Sequence, residues 1–319
     1  MNGKIVAYGE LLLRLSAANG TIRDSRSFNA CYGGTESNVL ACLSALGHRT
    51  SFLSALPEGP LGEAALDHLT GLGIDVSGVL TGGDTIGMYF SESGSASRGA
   101  NVVYARRHSQ FTLLTEDSFD FEKVFDGAVL FHISGISLAL SPSSRDLAFR
   151  LMHEAKKRNI TVSFDFNYRP ALWTADNARA HLRRAAGIAD ILLASSRDLD
   201  AFLQTGEENA LDDYPCKYLV LRDRNVVSPS LHSVGIAMLH RGERRSELPV
   251  FSFPVTEKIG GGDAFNGAFL HALLCGMNDT DILRFAAAAF ALKHQVKGDV
   301  LNASENDIIS FMNKTEDIQ

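Results

Sequence analysis

Three glycines stand directly before an aspartate in "EKIGGGDAFNGAF" (257–269), at the start of an apolar-periodic helical pattern. Bare glycine backbone ahead of a helix leaves N–H groups open at the positive end of the helix dipole. That arrangement binds anions, phosphate above all. Asp263 adds a carboxylate acceptor at the same place. An anion cradle beside a base is what transfer of a phosphoryl group to a hydroxyl needs. The same residues also fit a glycine-rich turn with Asp263 as its N-cap, and taken alone the segment leaves both readings open. The chain has no G-x-x-x-x-G-K-[ST] loop and no G-x-G-x-x-G after a strand. P-loop NTPases and dinucleotide-dependent dehydrogenases therefore lose support.

Such a site needs elements to position it. Short apolar, β-branched runs predict strands over 5–8, 129–133, 161–165, 191–194, 218–221 and 234–239. Longer periodic stretches predict helices over 36–46, 62–72, 143–158, 263–274, 279–294 and 305–312, with Gly47 and Gly73 as stops for the first two. Strands alternating with helices imply βαβ units and a mostly parallel, buried sheet. Ligands collect beyond the carboxyl ends of such strands, where Asp165 and Asn167 fall. Two stretches, about 11–32 and 87–109, are rich in Gly, Ser and strand formers and lack a helical period. They predict a small β-sheet lid inserted into one domain spanning 1–319. The polar tail 313–319 is expected to fray.

Composition narrows the class. The chain has 319 residues, 45% hydrophobic and 21% charged, with a net charge of −7. That hydrophobic content excludes disorder as the main description. The acidic balance argues against a nucleic-acid binder but permits a local cationic pocket for an anionic substrate. No apolar run approaches the roughly 18–20 residues of a membrane span, and no signal-peptide pattern opens the chain. Cys31, Cys42, Cys216 and Cys275 are far apart without a C-x-x-C pair. A reduced cytoplasmic setting is expected, and a structural zinc site is not. His108, His132 and His294 have no metal-ligand spacing.

"GGGDAFNGAF" (260–269) resembles the C-terminal signature of the ribokinase-like (PfkB) carbohydrate kinases, usually D-T-x-G-A-G-D-x-F. "YGGTESNVLACLSALG" (32–47) resembles their N-terminal signature, and "LGEAALDHLTGLGIDVSGV" (61–79) resembles the segment between. The match runs nearly end to end. It implies a three-layer α/β/α sandwich with a mostly parallel sheet and a β-lid, and an enzyme using ATP and Mg²⁺. Within the family, "FDFNYRPALW" (164–173), "VVYARRHSQF" (102–111), the I-G-G-G-D form, Leu221-Arg222 and "ALKHQVKGD" (291–299) resemble 2-keto-3-deoxygluconate kinases.

The resemblance implies roles. Asp263 becomes the general base, and Gly260, Gly261 and Gly262 the anion hole. Gly33, Gly34 and Asn38 meet the sugar hydroxyls. Arg106 and Arg169 hold a carboxylate, which a neutral sugar lacks and a guanidinium fork matches. Tyr89, Tyr104, Ser134 and Asn167 complete the substrate end. Ser195, Leu221, Arg222, Gly260, Gly262 and His294 line the nucleotide end, and Asp198 serves a hydrated magnesium through water. Asp165 is as suited to holding its loop as to touching a ligand.

There are departures. The family's usual Asn-x-x-Glu is here Ser195 and Asp198, Glu257 replaces a common Asp, Gln110 a small residue and Ala105 an acid. The expected reaction is phosphorylation of the terminal hydroxyl of 2-keto-3-deoxygluconate to its 6-phosphate. A fructokinase or ribokinase type, a nucleoside kinase, or a catalytically weak sugar- or nucleotide-binding homologue are the alternatives. Exposed lid edges imply a homodimer pairing through the lids.

Overall fold

The structure is a computed structural model that describes residues 3–92, 101–242 and 245–315. Residues 93–100 of the expected lid and 316–319 of the tail lie outside the described residues.

The chain opens on β1 (Lys4–Tyr8), then leaves the main sheet for β2 (Leu12–Ala17) and β3 (Phe28–Gly33). Helix α1 (Thr35–Ala45), β4 (Arg49–Leu56), α2 (Pro60–Gly71), β5 (Ile74–Asp75) and β6 (Val79–Thr81) follow. A second excursion makes β7 (Gly87–Glu92) and β8 (Asn101–Ala105). Regular alternation then gives α3 (Phe121–Phe125), β9 (Ala128–Ser134), α4 (Gly135–Ala139), α5 (Pro142–Lys157), β10 (Thr161–Asp165) and α6 (Ala175–Ala186). Next come β11 (Ile191–Ala194), α7 (Ser196–Asp198) and α8 (Glu207–Asp213). An antiparallel meander of β12 (Tyr218–Ser228), β13 (Leu231–His240) and β14 (Ser246–Pro254) precedes α9 (Gly261–Leu274), α10 (Asp279–Lys293) and α11 (Glu305–Lys314).

The main sheet runs β14-β13-β12-β11-β10-β9-β1-β4-β5, with β6 also on β4, and is parallel from β12 to β5. Side-chain alternation on β1 sorts the core into two layers. Ile5 and Ala7 pack with Val39, Phe265, Phe269 and Ala287 of α1, α9 and α10. Val6 and Tyr8 pack with Leu147, Leu151 and Leu182 of α5 and α6. A buried sheet with helices on both faces is the expected three-layer sandwich. Strand order reverses between β1 and β9, so the carboxyl ends there form a crevice. The two excursions form a separate sheet, β3-β2-β7-β8, as the lid stretches predicted.

The sequence reading leaves β4, α6 and β14 unassigned, each for a physical reason. β4 buries Thr50, Ser51 and Ser54 among its apolar residues, which hides its burial on both faces. The buried stripe of α6 is mostly alanine, Ala178, Leu182, Ala185 and Ala186. β14 ends on a proline at the sheet's edge, where a missing N–H is tolerated. No helix among the described residues is long and apolar enough to cross a membrane.

Candidate active site

A cavity of about 880 Å³ lies at the carboxyl ends of the main strands. Glu10 past β1, Asp165 ending β10, Ser195 past β11 and Arg222 on β12 form one wall, and Tyr89 and Tyr104 of the small sheet face them.

The glycine turn closes one end. Gly260 is the N-cap of α9 with φ of 80°, and a β-carbon there would sit 1.8 Å from the Asp299 carbonyl oxygen. Both facts require glycine. Asp263 is therefore not the N-cap; it is the third residue of the helix, and no side chain caps the turn. The first N–H groups of a helix have no partner within it, so α9 presents donors beside the cavity.

Asp263 lines the cavity while only 9% exposed. Asn38 Nδ2 donates to its Oδ2 at 2.7 Å. Burial pushes the Asp263 carboxyl up to about 7; the Asn38 bond and Arg169 pull it down, and Asp165 and Glu36 push it up. A base poised near neutral pH suits proton abstraction from a hydroxyl.

Asp165 is buried behind it. Its Oδ2 accepts from Asn266 Nδ2 at 2.8 Å and Asn167 Nδ2 at 3.3 Å. Asn167 is held at φ of 38°, a left-handed conformation at the strand's end, and also donates to Thr35 Oγ1 at 3.2 Å. Arg222 Nη1 donates to the Gly262 carbonyl and to Asn266 Oδ1, both at 3.2 Å. Its guanidinium lies 4.9 Å from the Phe265 ring centre. Burial pulls the Arg222 pKa down, against Asp165, Asp263 and Asp198. Asp198 Oδ2 accepts from Ser195 N and Oγ in a capping box that starts α7.

The other end belongs to the small sheet. Arg106 Nε donates to Glu10 Oε2 at 2.8 Å, its Nη2 bonds the same oxygen, and Ser109 Oγ donates to Glu10 Oε1. The Tyr104 ring lies 5.6 Å from that guanidinium. Tyr89 Oη donates to Asp299 Oδ2 at 2.8 Å, and Arg14 Nη1 pairs with Asp299 Oδ1 at 2.8 Å. The Arg169 side chain has no hydrogen bond or ion pair among the described residues and faces the cavity.

The cavity gathers Gly33, Gly34, Asn38, Tyr89, Tyr104 and Arg106 with Asn167, Arg169, Ser195, Asp198, Arg222, Gly260, Gly262 and Asp263. Four expected site residues do not line it. Gly261 is buried in the first turn of α9, where a β-carbon would meet the His294 ring at 2.0 Å. Ser134 is fully buried because its N–H and hydroxyl both bond Glu36. Leu221 points into the core behind β12. His294 is fully buried, its Nδ1 donating to the Phe290 carbonyl at 2.8 Å. Glu10, Glu36, Asp299 and Arg224 line the cavity although the sequence reading passes over them. Glu36 and Asp299 lie inside the segments 32–47 and 291–299 that carry the resemblance, and Glu10 is an acid just past the end of a buried strand.

A pfkB family carbohydrate kinase profile matches residues 2–306. A 2-dehydro-3-deoxygalactonokinase of Haloferax volcanii is 34% identical over 313 residues, 97% of this chain and 96% of that one. The crystal structure of 2-dehydro-3-deoxygluconokinase from Thermotoga maritima aligns with a TM-score of 0.93 at 31% identity, covering 98% of this chain and 99% of that one. A PfkB family carbohydrate kinase from Listeria grayi aligns with a TM-score of 0.93 at 32% identity, covering 97% and 99%.

Proposed function

The chain belongs to the pfkB family and is a carbohydrate kinase; from that premise we propose that it transfers the γ-phosphoryl group of ATP to the terminal hydroxyl of 2-keto-3-deoxygluconate, giving the 6-phosphate and ADP. The observation that carries this reading is that Arg106 and Arg169 share one cavity with Asp263 and the glycine turn. A sugar acid lying between them would put its carboxylate near guanidinium and its far hydroxyl near the base. Two relatives named for 2-dehydro-3-deoxy acids support the substrate class.

In this account Asp263 takes the hydroxyl proton as the substrate oxygen bonds to phosphorus and the bond to the ADP oxygen breaks. The α9 N–H groups and Arg222 meet the charge on the phosphates. The donor set suits magnesium, since Asp165 and Asp198 offer oxygen, the ligand type of a hard cation. Among the described residues no group of three or more His, Cys, Asp and Glu is arranged to hold a metal. These residues would fit a cation carried by the nucleotide, which Asp198 would hold through water. Such a cation supplies charge neutralisation on the phosphates.

The galacto name of the Haloferax relative favours one second reading, the C4 epimer of the same acid. The exposed edge strand β8, with Val102 41%, Val103 48% and Tyr104 41% exposed, supports a homodimer formed through the small sheets. The free thiols of Cys31, Cys42, Cys216 and Cys275 support a reducing, cytoplasmic setting. Phosphorus NMR of a reaction containing ATP and 2-keto-3-deoxygluconate tests the reading. A new phosphomonoester on the terminal carbon, formed in step with ADP, is expected. ATP left intact with either epimer would remove the proposal.

A further inference from the structure

Glu36, in the first turn of α1, is 1% exposed and lines the cavity. Hydroxyls and an amide hold its carboxylate. Oε1 accepts from the Ser134 N–H at 3.0 Å, Ser134 Oγ at 2.7 Å and Ser137 Oγ at 2.8 Å. Oε2 lies against Gly9, where a β-carbon would come within 2.2 Å. Burial pushes the Glu36 carboxyl above its ordinary range, and the three donors on one oxygen pull it back toward the ionised form. A buried carboxylate is expensive compared with an apolar residue of similar size. The helix start contributes to holding it, since an acid in the first turn meets the positive end of the dipole and the Glu36 N–H bonds its own carboxylate, but the hydroxyl partners come from β9 and α4.

We propose that Glu36 is a positioning residue for phosphoryl transfer: it fixes the first turn of α1, through which Asn38 reaches Asp263, and it keeps a negative charge beside that carboxylate. This rests on Asp263 being the base. Asn38 is two positions further on, its Nδ2 on Asp263 and its Oδ1 accepting from the Gly34 N–H at 3.3 Å. Anchoring Glu36 to the end of β9 therefore sets where the Asn38 amide stands. Asp263 is faced by Asn38, Glu36 and Cys42 from α1, Asp165 from β10, Arg169 from the loop after it, Arg222 from β12 and Lys293 from α10. Glu36 is faced by the Tyr8 phenol from β1, by Ser134 and Ser137, and by Asp263 itself. The repulsion from Glu36 raises the proton affinity of Asp263.

The test is the pH dependence of kcat/KM for Glu36→Gln and Glu36→Asp in the full chain, with thermal unfolding as the check on folding. Glu36→Gln is expected to move the acid limb to lower pH by roughly half a unit to one unit and to lower kcat by about tenfold, with KM for ATP within about twofold. Glu36→Asp keeps the charge but shortens the reach, so kcat falls and the limb stays. A fall in kcat with an unmoved limb in Glu36→Gln, or no change in either, overturns the inference. Should Glu36→Gln not fold, Ser137→Ala must lower kcat severalfold, and wild-type kcat there overturns it. Asp263→Asn separates the two claims: near-normal turnover removes the base, whereas an inactive Asp263→Asn beside an unmoved Glu36→Gln limb removes only the role of Glu36.

Discussion

The Asn38 side-chain amide donates to the Asp263 carboxylate at 2.7 Å across 225 residues of sequence. That bond ties the start of α1 to the start of α9. The Asn38 oxygen also accepts from Gly34, so both polar ends of a residue expected to meet sugar hydroxyls are engaged within the protein.

Asn38→Ala removes the one hydrogen bond that pulls the Asp263 proton affinity down, and burial then pushes it further above neutral. At pH 7 kcat/KM is expected to fall roughly 10- to 100-fold, with part of the loss recovered near pH 9 as the carboxyl ionises. A pH–rate profile of the variant beside the wild type reads this directly.

Asp263→Asn is expected to lower turnover by about 10³-fold while raising stability in neutral and alkaline solution. The Asp263 carboxyl lies at about 7 in the folded protein, above its ordinary 3.8. It therefore binds its proton more tightly folded than unfolded, and ionising it costs native stability. That cost is absent below about pH 4, grows as pH rises toward 7 and is complete above it. Asparagine carries no such cost, so the variant should gain up to about 4 kcal/mol at pH 8 and lose the advantage near pH 4. Unfolding curves at the two pH values check the sign.

Arg106 cannot be read by simple truncation. Its partner Glu10 has a side chain 2% exposed, and Arg106→Ala would leave that charge buried and unpaired, at roughly 3–5 kcal/mol. The double variant Glu10→Gln, Arg106→Gln avoids the stranded charge. In it KM for 2-keto-3-deoxygluconate is expected to rise about 10- to 100-fold while KM for ATP stays near the wild-type value. Steady-state kinetics with each substrate varied separates the two constants.

The dimer reading predicts a native mass near twice the 34.5 kDa of the chain. Val103→Glu places a charge on the exposed edge strand and should shift that mass toward the monomer at equal concentration. Light scattering coupled to size exclusion makes the comparison; a monomeric wild type contradicts it.

Local features of this site were legible in the sequence, and those made by tertiary approach were not. The glycine turn and Asp263 are contiguous, and the helix they open is strongly periodic, so position and chemistry could be read together. Gly33, Gly34 and Asn38 read by themselves as a tight turn and a polar helix residue; only the family resemblance pointed to them, and they line the cavity. Asp299 was not legible, because a loop after α10 brings it to Tyr89 of β7 and Arg14 of β2. Glu36 read as an ordinary polar residue near a helix start, since its donors come from β9 and α4. Ser134 and His294 failed in the opposite direction. Ile136 and Phe290, two and four positions away, reach the crevice, but the Ser134 and His294 side chains turn into the interior. The lid was legible from broken periodicity, although its strand order was not, because the parallel pairing of β2 with β7 joins segments far apart in the chain.

The central claim is that the cavity holds a sugar acid with its carboxylate on arginine and its far hydroxyl on Asp263. Coupled ADP release with 2-keto-3-deoxygluconate and with fructose, each at varied concentration, tests it most directly. kcat/KM for the acid is expected to exceed that for the neutral sugar by about 100-fold or more, the worth of a carboxylate–guanidinium contact. Equal values, or a preference for fructose, would contradict it.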